Sequence, residues 1–198
     1  MADKVSEDEL KPTQTEGYKA GEKKSLAEYA QLDAEDESLA RWKASLGIVP
    51  GASGGAATGP KLKLHSLSLV SATAPNGAVT LDLESGNADA IKKDTLTIKE
   101  GVEYHVSFKF TVGQEVLSGL RFIQVVKRGG IPVDKTEAMI GSFSPRGEPY
   151  IKHLETEEAP SGMLARATYS VRSRLIDDDN QTLWDQSWSF KIAKDWAA

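Results

Sequence analysis

The chain has 198 residues, 24 Lys and Arg against 29 Asp and Glu, a formal charge of −5, and no cysteine. The acidic balance speaks against a general nucleic-acid binder, and the missing thiols exclude disulfide scaffolds, thiolate metal centres and cysteine nucleophiles. Apolar runs fall short of the roughly 18 residues a membrane helix needs, and the opening Met1 to Glu7 lacks the apolar stretch of a secretory signal, so a cytoplasmic protein is expected.

Residues 1–60 hold 7 basic and 11 acidic side chains, and few large apolar ones. Such a tract cannot bury enough surface to offset its chain entropy, so residues 1–24 are expected to be disordered when alone. Two short helical patterns follow. Ser25 and Glu28 have capping-box spacing, with Leu26, Tyr29 and Leu32 recurring every third residue. Asp33, Glu35, Asp36 and Glu37 suit the positive end of a second helix, whose Leu39, Trp42 and Leu46 fall at spacings of three and four before Gly47. Both helices are short enough to need outside contacts, from a partner or from their own domain. Five Gly and two Pro between Gly47 and Pro60 then read as a linker. The expected division is a flexible regulatory arm over 1–60 and a folded domain over 61–198.

The second part reads as all-β. Val102, Tyr104, Val106, Phe108, Phe110 and Val112 alternate with polar residues, which predicts one buried and one wet face. Shorter alternations follow at Val79–Leu83, Leu96–Ile98, Leu120–Phe122, Tyr169–Leu175 and Trp188–Ile192. The phase slips by one between Leu62-Leu64 and Leu67-Leu69, which predicts a bulge. Eight or nine short strands with regular turns favour a two-sheet sandwich over a barrel.

Signs of enzyme chemistry are thin. His65, His105 and His153 are scattered, and no nucleophile elbow, dinucleotide turn or phosphate loop is present. Asp177-Asp178-Asp179-Asn180 gathers oxygens of the kind calcium takes. An EF-hand, however, needs Gly where Thr182 stands and Glu where Trp188 stands, so a β-turn of solvated acids is expected, with no metal, cofactor or catalytic residue.

Several stretches together resemble the Rho GDP-dissociation inhibitor family. They are Leu32 to Leu39, Lys99 to Tyr104, Val133 to Thr136, Glu158 to Arg166 and Lys194-Asp195-Trp196, in the family's order from about Tyr18 to the C-terminus. The resemblance implies an immunoglobulin-like sandwich and a regulator, not an enzyme. Such a regulator binds prenylated Rho-class GTPases in their GDP form, buries the geranylgeranyl group, clamps the switch regions with the arm and extracts the GTPase from membranes to the cytosol. By resemblance, Tyr18, Ser25, Asp36, Ser38, Leu39, Asp134 and Asp179 face the GTPase. Leu69, Leu96, Tyr104, Phe122, Val171 and Trp188 line the prenyl pocket, and Glu157 and Glu158 form a rim for a basic tail.

The sequence also departs from the family pattern. Leu96 and Gln186 stand where vertebrate members carry Phe and Trp, and Thr95 and Thr168 replace serines phosphorylated in relatives. Two other readings stay open: a general prenyl or acyl shuttle without GTPase inhibition, and an interaction or calcium module with a filled core.

Overall fold

The computed structural model describes residues 6–13, 28, 31–32, 35–45, 59–84, 95–113 and 115–197. Among them a 3-10 turn at Asp8–Leu10 and one helix, α1 (Glu37–Ser45), precede nine strands. These are β1 (Leu62–Val70), β2 (Ala78–Asp82), β3 (Thr95–Lys99), β4 (Glu103–Val112), β5 (Leu117–Arg128), β6 (Ile131–Phe143), β7 (Tyr150–Glu158), β8 (Thr168–Ile176) and β9 (Thr182–Ala193). They form two sheets, β2-β1-β4-β7 and β3-β9-β8-β5-β6, which is the sandwich the alternation predicted and not a barrel. No helix among the described residues is long and apolar enough to cross a membrane.

The sheets meet through the apolar face of each alternating strand. Phe108 of β4 crosses to Phe122 of β5 with ring centroids 4.9 Å apart, and Leu67, Leu175 and Leu120 are fully buried around them. The expected bulge lies between Leu64 and Ser66, where the pairing of β1 with β4 shifts. One residue of the expected wet face of β4, Ser107, is buried instead. Edge strands β6 and β7 carry no clean alternation, because neither face of β6 is covered over its first five residues and β7 is mostly exposed.

The two ends of the sandwich differ. At the end where β6 finishes and β7 begins, Phe110 stacks on Tyr150 at 5.6 Å and meets Phe143 at 5.0 Å. The Tyr150 hydroxyl donates to the Ser144 carbonyl at 2.9 Å, which ties the β6–β7 connection to this aromatic cluster. The other end carries the β3–β4 and β5–β6 turns, the β7–β8 loop and the segment after β9.

Candidate functional site

Five of the six expected pocket residues, Leu69, Leu96, Phe122, Val171 and Trp188, belong to one buried cluster between the sheets, and half-buried Tyr104 packs against it. Strand register explains the grouping. Leu69 lies opposite Val106, Leu96 opposite Phe190, and Val171 between Trp188 and Val126. Phe122 sits deeper, toward the aromatic end. Inside this apolar group lies a polar chain the sequence did not reveal. Trp188 Nε1 donates to Ser173 Oγ at 3.0 Å, and Ser173 Oγ donates to Gln124 Oε1 at 3.0 Å. Trp188 is 4% exposed, so this chain fixes the indole plane while satisfying a donor that would otherwise be costly to bury. Gln124 and Ser173 face each other across β5 and β8, a coincidence of register that composition cannot show.

Tyr104 stands beside this cluster toward the edge formed by β6 and β7. Tyr104 donates its hydroxyl to Glu157 at 3.0 Å, and the two residues are paired across β4 and β7. Burial first, then the charge and hydrogen bond of Glu157 and the charge of Asp134, hold the Tyr104 phenol well above its ordinary range. Asp134 and Glu157 thus bring negative potential to one tyrosine from opposite sheets. Glu158 follows on the same edge, opposite Glu103. Asp134, Glu157 and Glu158 are all exposed.

Among the described residues, those expected to face the GTPase lie on separate elements: Asp36, Ser38 and Leu39 at the start of α1, Asp134 on β6 and Asp179 in the β8–β9 turn. Tyr18 and Ser25 lie outside the described residues, as do Leu26 and Tyr29 of the first helical pattern. What is described of that pattern is a helical Glu28 and Gln31, with the Leu32 amide donating to the Glu28 carbonyl at 3.1 Å. Asp36 caps α1. Its Oδ1 accepts the amides of Ser38 at 2.8 Å and Leu39 at 3.1 Å, which satisfies two of the free donors at a helix start. Ser38 is exposed and Leu39 half-buried. Arg41 pairs with Glu37 one turn earlier at 3.1 Å, and Lys43 donates to the Leu32 carbonyl.

Asp134 and Asp179 stand toward opposite ends of one sheet. Along β5, Val126 faces Asp134 and Arg121 faces Ile176, which is roughly 17 Å of strand before the residues leading to Asp179 are added. The acidic run itself is not simply solvated. Asp177 is buried: its Oδ2 takes Lys61 Nζ at 2.7 Å, and its Oδ1 takes the amides of Asp179 at 3.0 Å and Gln181 at 2.9 Å. The lysine and the turn amides compensate a carboxylate that burial would otherwise penalise.

Residues 6–13 correct the expectation for 1–24, because this stretch docks on the outer face of the five-stranded sheet. Leu10 is 0% exposed and packs with Ile123, Val125 and Ile176. Glu7 accepts from Arg172 and Arg174 at 2.5 Å each, Glu9 pairs with Lys127 at 3.0 Å, and Thr13 donates its hydroxyl to Glu137 at 2.8 Å. Arg174 and Arg172 hold the Glu7 carboxyl below its usual range, and Lys127 with the Ser6 amide does the same for Glu9. The acids that make this segment look unfoldable alone match cations placed on β5 and β8. The signal was Leu10 among Glu7, Asp8 and Glu9, one apolar anchor with charges for which the rest of the chain holds the partners.

Residues 3–195 match the model of the family described as RHO protein GDP dissociation inhibitor. The Rho GDP-dissociation inhibitor of Schizosaccharomyces pombe is 44% identical over 177 residues, covering 89% of this chain and 85% of its own. Rho GDP-dissociation inhibitor 1 of Homo sapiens is 42% identical over 180 residues, covering 90% and 86%. The protein of the same name from Arabidopsis thaliana is 37% identical over 179 residues, covering 90% and 73%.

Proposed function

Because the chain belongs to the Rho GDP-dissociation inhibitor family, we propose that it binds prenylated Rho-class GTPases in their GDP form and carries their geranylgeranyl group between its two sheets. It regulates Rho GTPases and is not an enzyme of their chemistry. What supports the lipid reading is the buried apolar cluster of Leu69, Leu96, Phe122, Val171 and Trp188 with Tyr104 beside it, and the acidic edge at Tyr104 serves as its mouth in this reading.

Burying the lipid is worth roughly 0.8 kcal/mol per methylene, on the order of 10 kcal/mol for a 20-carbon chain. A bilayer offers the same gain. Transfer out of a membrane therefore needs contacts that the bilayer cannot supply. The arm provides them: α1, with Asp36, Ser38 and Leu39 at its first turn, lies against the switch regions and holds closed the loops that must open for GDP to leave. Tyr18 and Ser25 extend that contact, and Asp134 and Asp179 meet the GTPase from the sandwich. Glu157 and Glu158, with Asp134 across the mouth, attract the basic stretch that precedes a prenylated cysteine and so orient the lipid for entry. The extracted complex stays in the cytosol.

The test is a titration of geranylgeranylated and unprenylated Rho·GDP with the full chain, and with Glu157→Gln combined with Asp134→Asn. The native chain should slow GDP release and prefer the prenylated form by orders of magnitude. The double variant should lose about tenfold in affinity at low salt and much less at high salt. Equal affinity for prenylated and unprenylated GTPase would refute the lipid reading.

A further inference from the structure

We infer that the pocket end of the sandwich makes its own contact with the membrane, through Met163 and Leu164 of the loop between β7 and β8. The inference rests on the functional reading above and adds a lipid-bilayer surface as a second partner. Met163 is 83% exposed and Leu164 84%, the two most exposed large apolar side chains among the described residues.

The loop is built and not loose. The Gly162 amide donates to Glu100 Oε2 at 2.8 Å, and the Arg166 guanidinium donates to both oxygens of Glu100, at 2.9 Å and 2.6 Å. The Tyr169 hydroxyl donates to the Ala165 carbonyl at 2.8 Å, and Arg128 donates to the Leu164 carbonyl. Gly162 itself sits at φ +96°, a conformation other residues rarely adopt. These ties hold both apolar side chains out in water, although the core begins at Ala159 in the same connection. Ile131 and Val133, exposed at the start of β6, belong to the same end.

The charges around the loop select the partner. Within the loop and at the nearby ends of β3, β5 and β9 stand the cations Lys99, Arg128, Arg166 and Lys194, against the acids Glu100 and Asp195. Arg128 bonds a carbonyl oxygen, and that bond does not neutralise its charge. The mouth acids Asp134, Glu157 and Glu158 lie instead on the β6/β7 edge, so an anionic surface meets the β8/β9 flank more favourably than the mouth. Arg166 pairs with Glu100 and Lys99 with Asp195, so Arg128 and Lys194 are the cations in excess beside the apolar pair, which suits the boundary between phosphate headgroups and acyl chains. Seated there, the mouth opens beside the bilayer, and a prenyl chain moves from one apolar phase to the other with little exposure to water.

The experiment compares the full native chain with Met163→Ser/Leu164→Ser. Geranylgeranylated Rho·GDP is loaded on vesicles of phosphatidylcholine alone or mixed with phosphatidylserine. Release rate is followed beside two controls, affinity for a soluble geranylgeranylated peptide and the thermal midpoint. The variant should release the GTPase about tenfold more slowly, with the larger deficit on phosphatidylserine, while peptide affinity and midpoint stay native. Equal release rates on both vesicles would overturn the inference and leave the functional reading standing. So would a fall in peptide affinity matching the loss of release, which would make the loop part of the pocket. No release by the native chain would refute the functional reading, and the membrane contact with it.

Discussion

One end of the sandwich is closed by aromatic rings, and the other holds apolar side chains out in water. At the closed end Phe110, Phe143 and Tyr150 fill the space between the sheets, and buried Asp177 locks the β8–β9 turn to Lys61. At the other end Ile131, Val133, Met163 and Leu164 are exposed, and Tyr104 sits between the acids of two edge strands. The same alternating strands run through both ends. In the proposed function the lipid enters at the second of these ends, so substitutions at the two ends should have different consequences.

The largest effect should come from the closed end. Phe110→Ala removes a fully buried ring and should cost about 3–5 kcal/mol in chemical denaturation, with GTPase affinity per folded molecule unchanged. A loss of affinity in the folded variant would show that the two ends are coupled. Next is the polar chain inside the buried cluster. Ser173→Ala leaves the Trp188 N–H and the Gln124 oxygen without that partner and should cost about 1–3 kcal/mol. It should also broaden the Trp188 indole signal in NMR spectra. An unchanged, sharp indole resonance would mean that packing alone fixes the ring.

The arm gives a smaller and more informative contrast. Asp36→Ala removes both the cap of α1 and a charge, whereas Asp36→Asn keeps the cap. Asn should bind GTPase roughly fivefold more tightly than Ala, reflecting about 1 kcal/mol of capping. Equal affinities would leave helix capping no part in binding.

The smallest effect concerns the docked segment 6–13. The carboxyls of Glu7 and Glu9 have folded pKa values below the ordinary one, so their contribution is present above about pH 4.3 and is lost as pH falls through the folded values. For Glu137 burial raises the pKa, and the hydrogen bonds from Thr13 and Arg121 outweigh it together, so it acts in the same direction. Hydrogen exchange at the Leu10 amide should therefore stay slow from pH 5 to 8, after correction for intrinsic rates, and accelerate on acidification below about pH 4. Loosening as pH rises from 5 to 8 would contradict this assignment.

Periodicity revealed much of the fold. β4 and β8 were legible because most of one face of each is covered, and the β1 bulge showed as a slip of one residue. β6 and β7 were not, since exposed edge strands leave no alternation to read, although Gly129-Gly130, Pro145 and Pro160 mark their limits. The residues proposed for the pocket were legible as apolar strand positions, but the proposal that they hold lipid came only through the family resemblance. Asp36 read as a helix-start acid, and the structure gives it a definite pair of amides. Docking of Leu10 was invisible to composition, because its partners lie more than a hundred residues away.

The most direct measurement is release of geranylgeranylated Rho·GDP from vesicles by the full chain, set beside residues 61–198 alone. The full chain should move the GTPase into solution. The sandwich alone should bind a geranylgeranylated peptide yet leave the GTPase on the membrane, because it lacks the arm's added contacts. Equal release by both would contradict the division of work between arm and sandwich and make the chain a simple lipid shuttle.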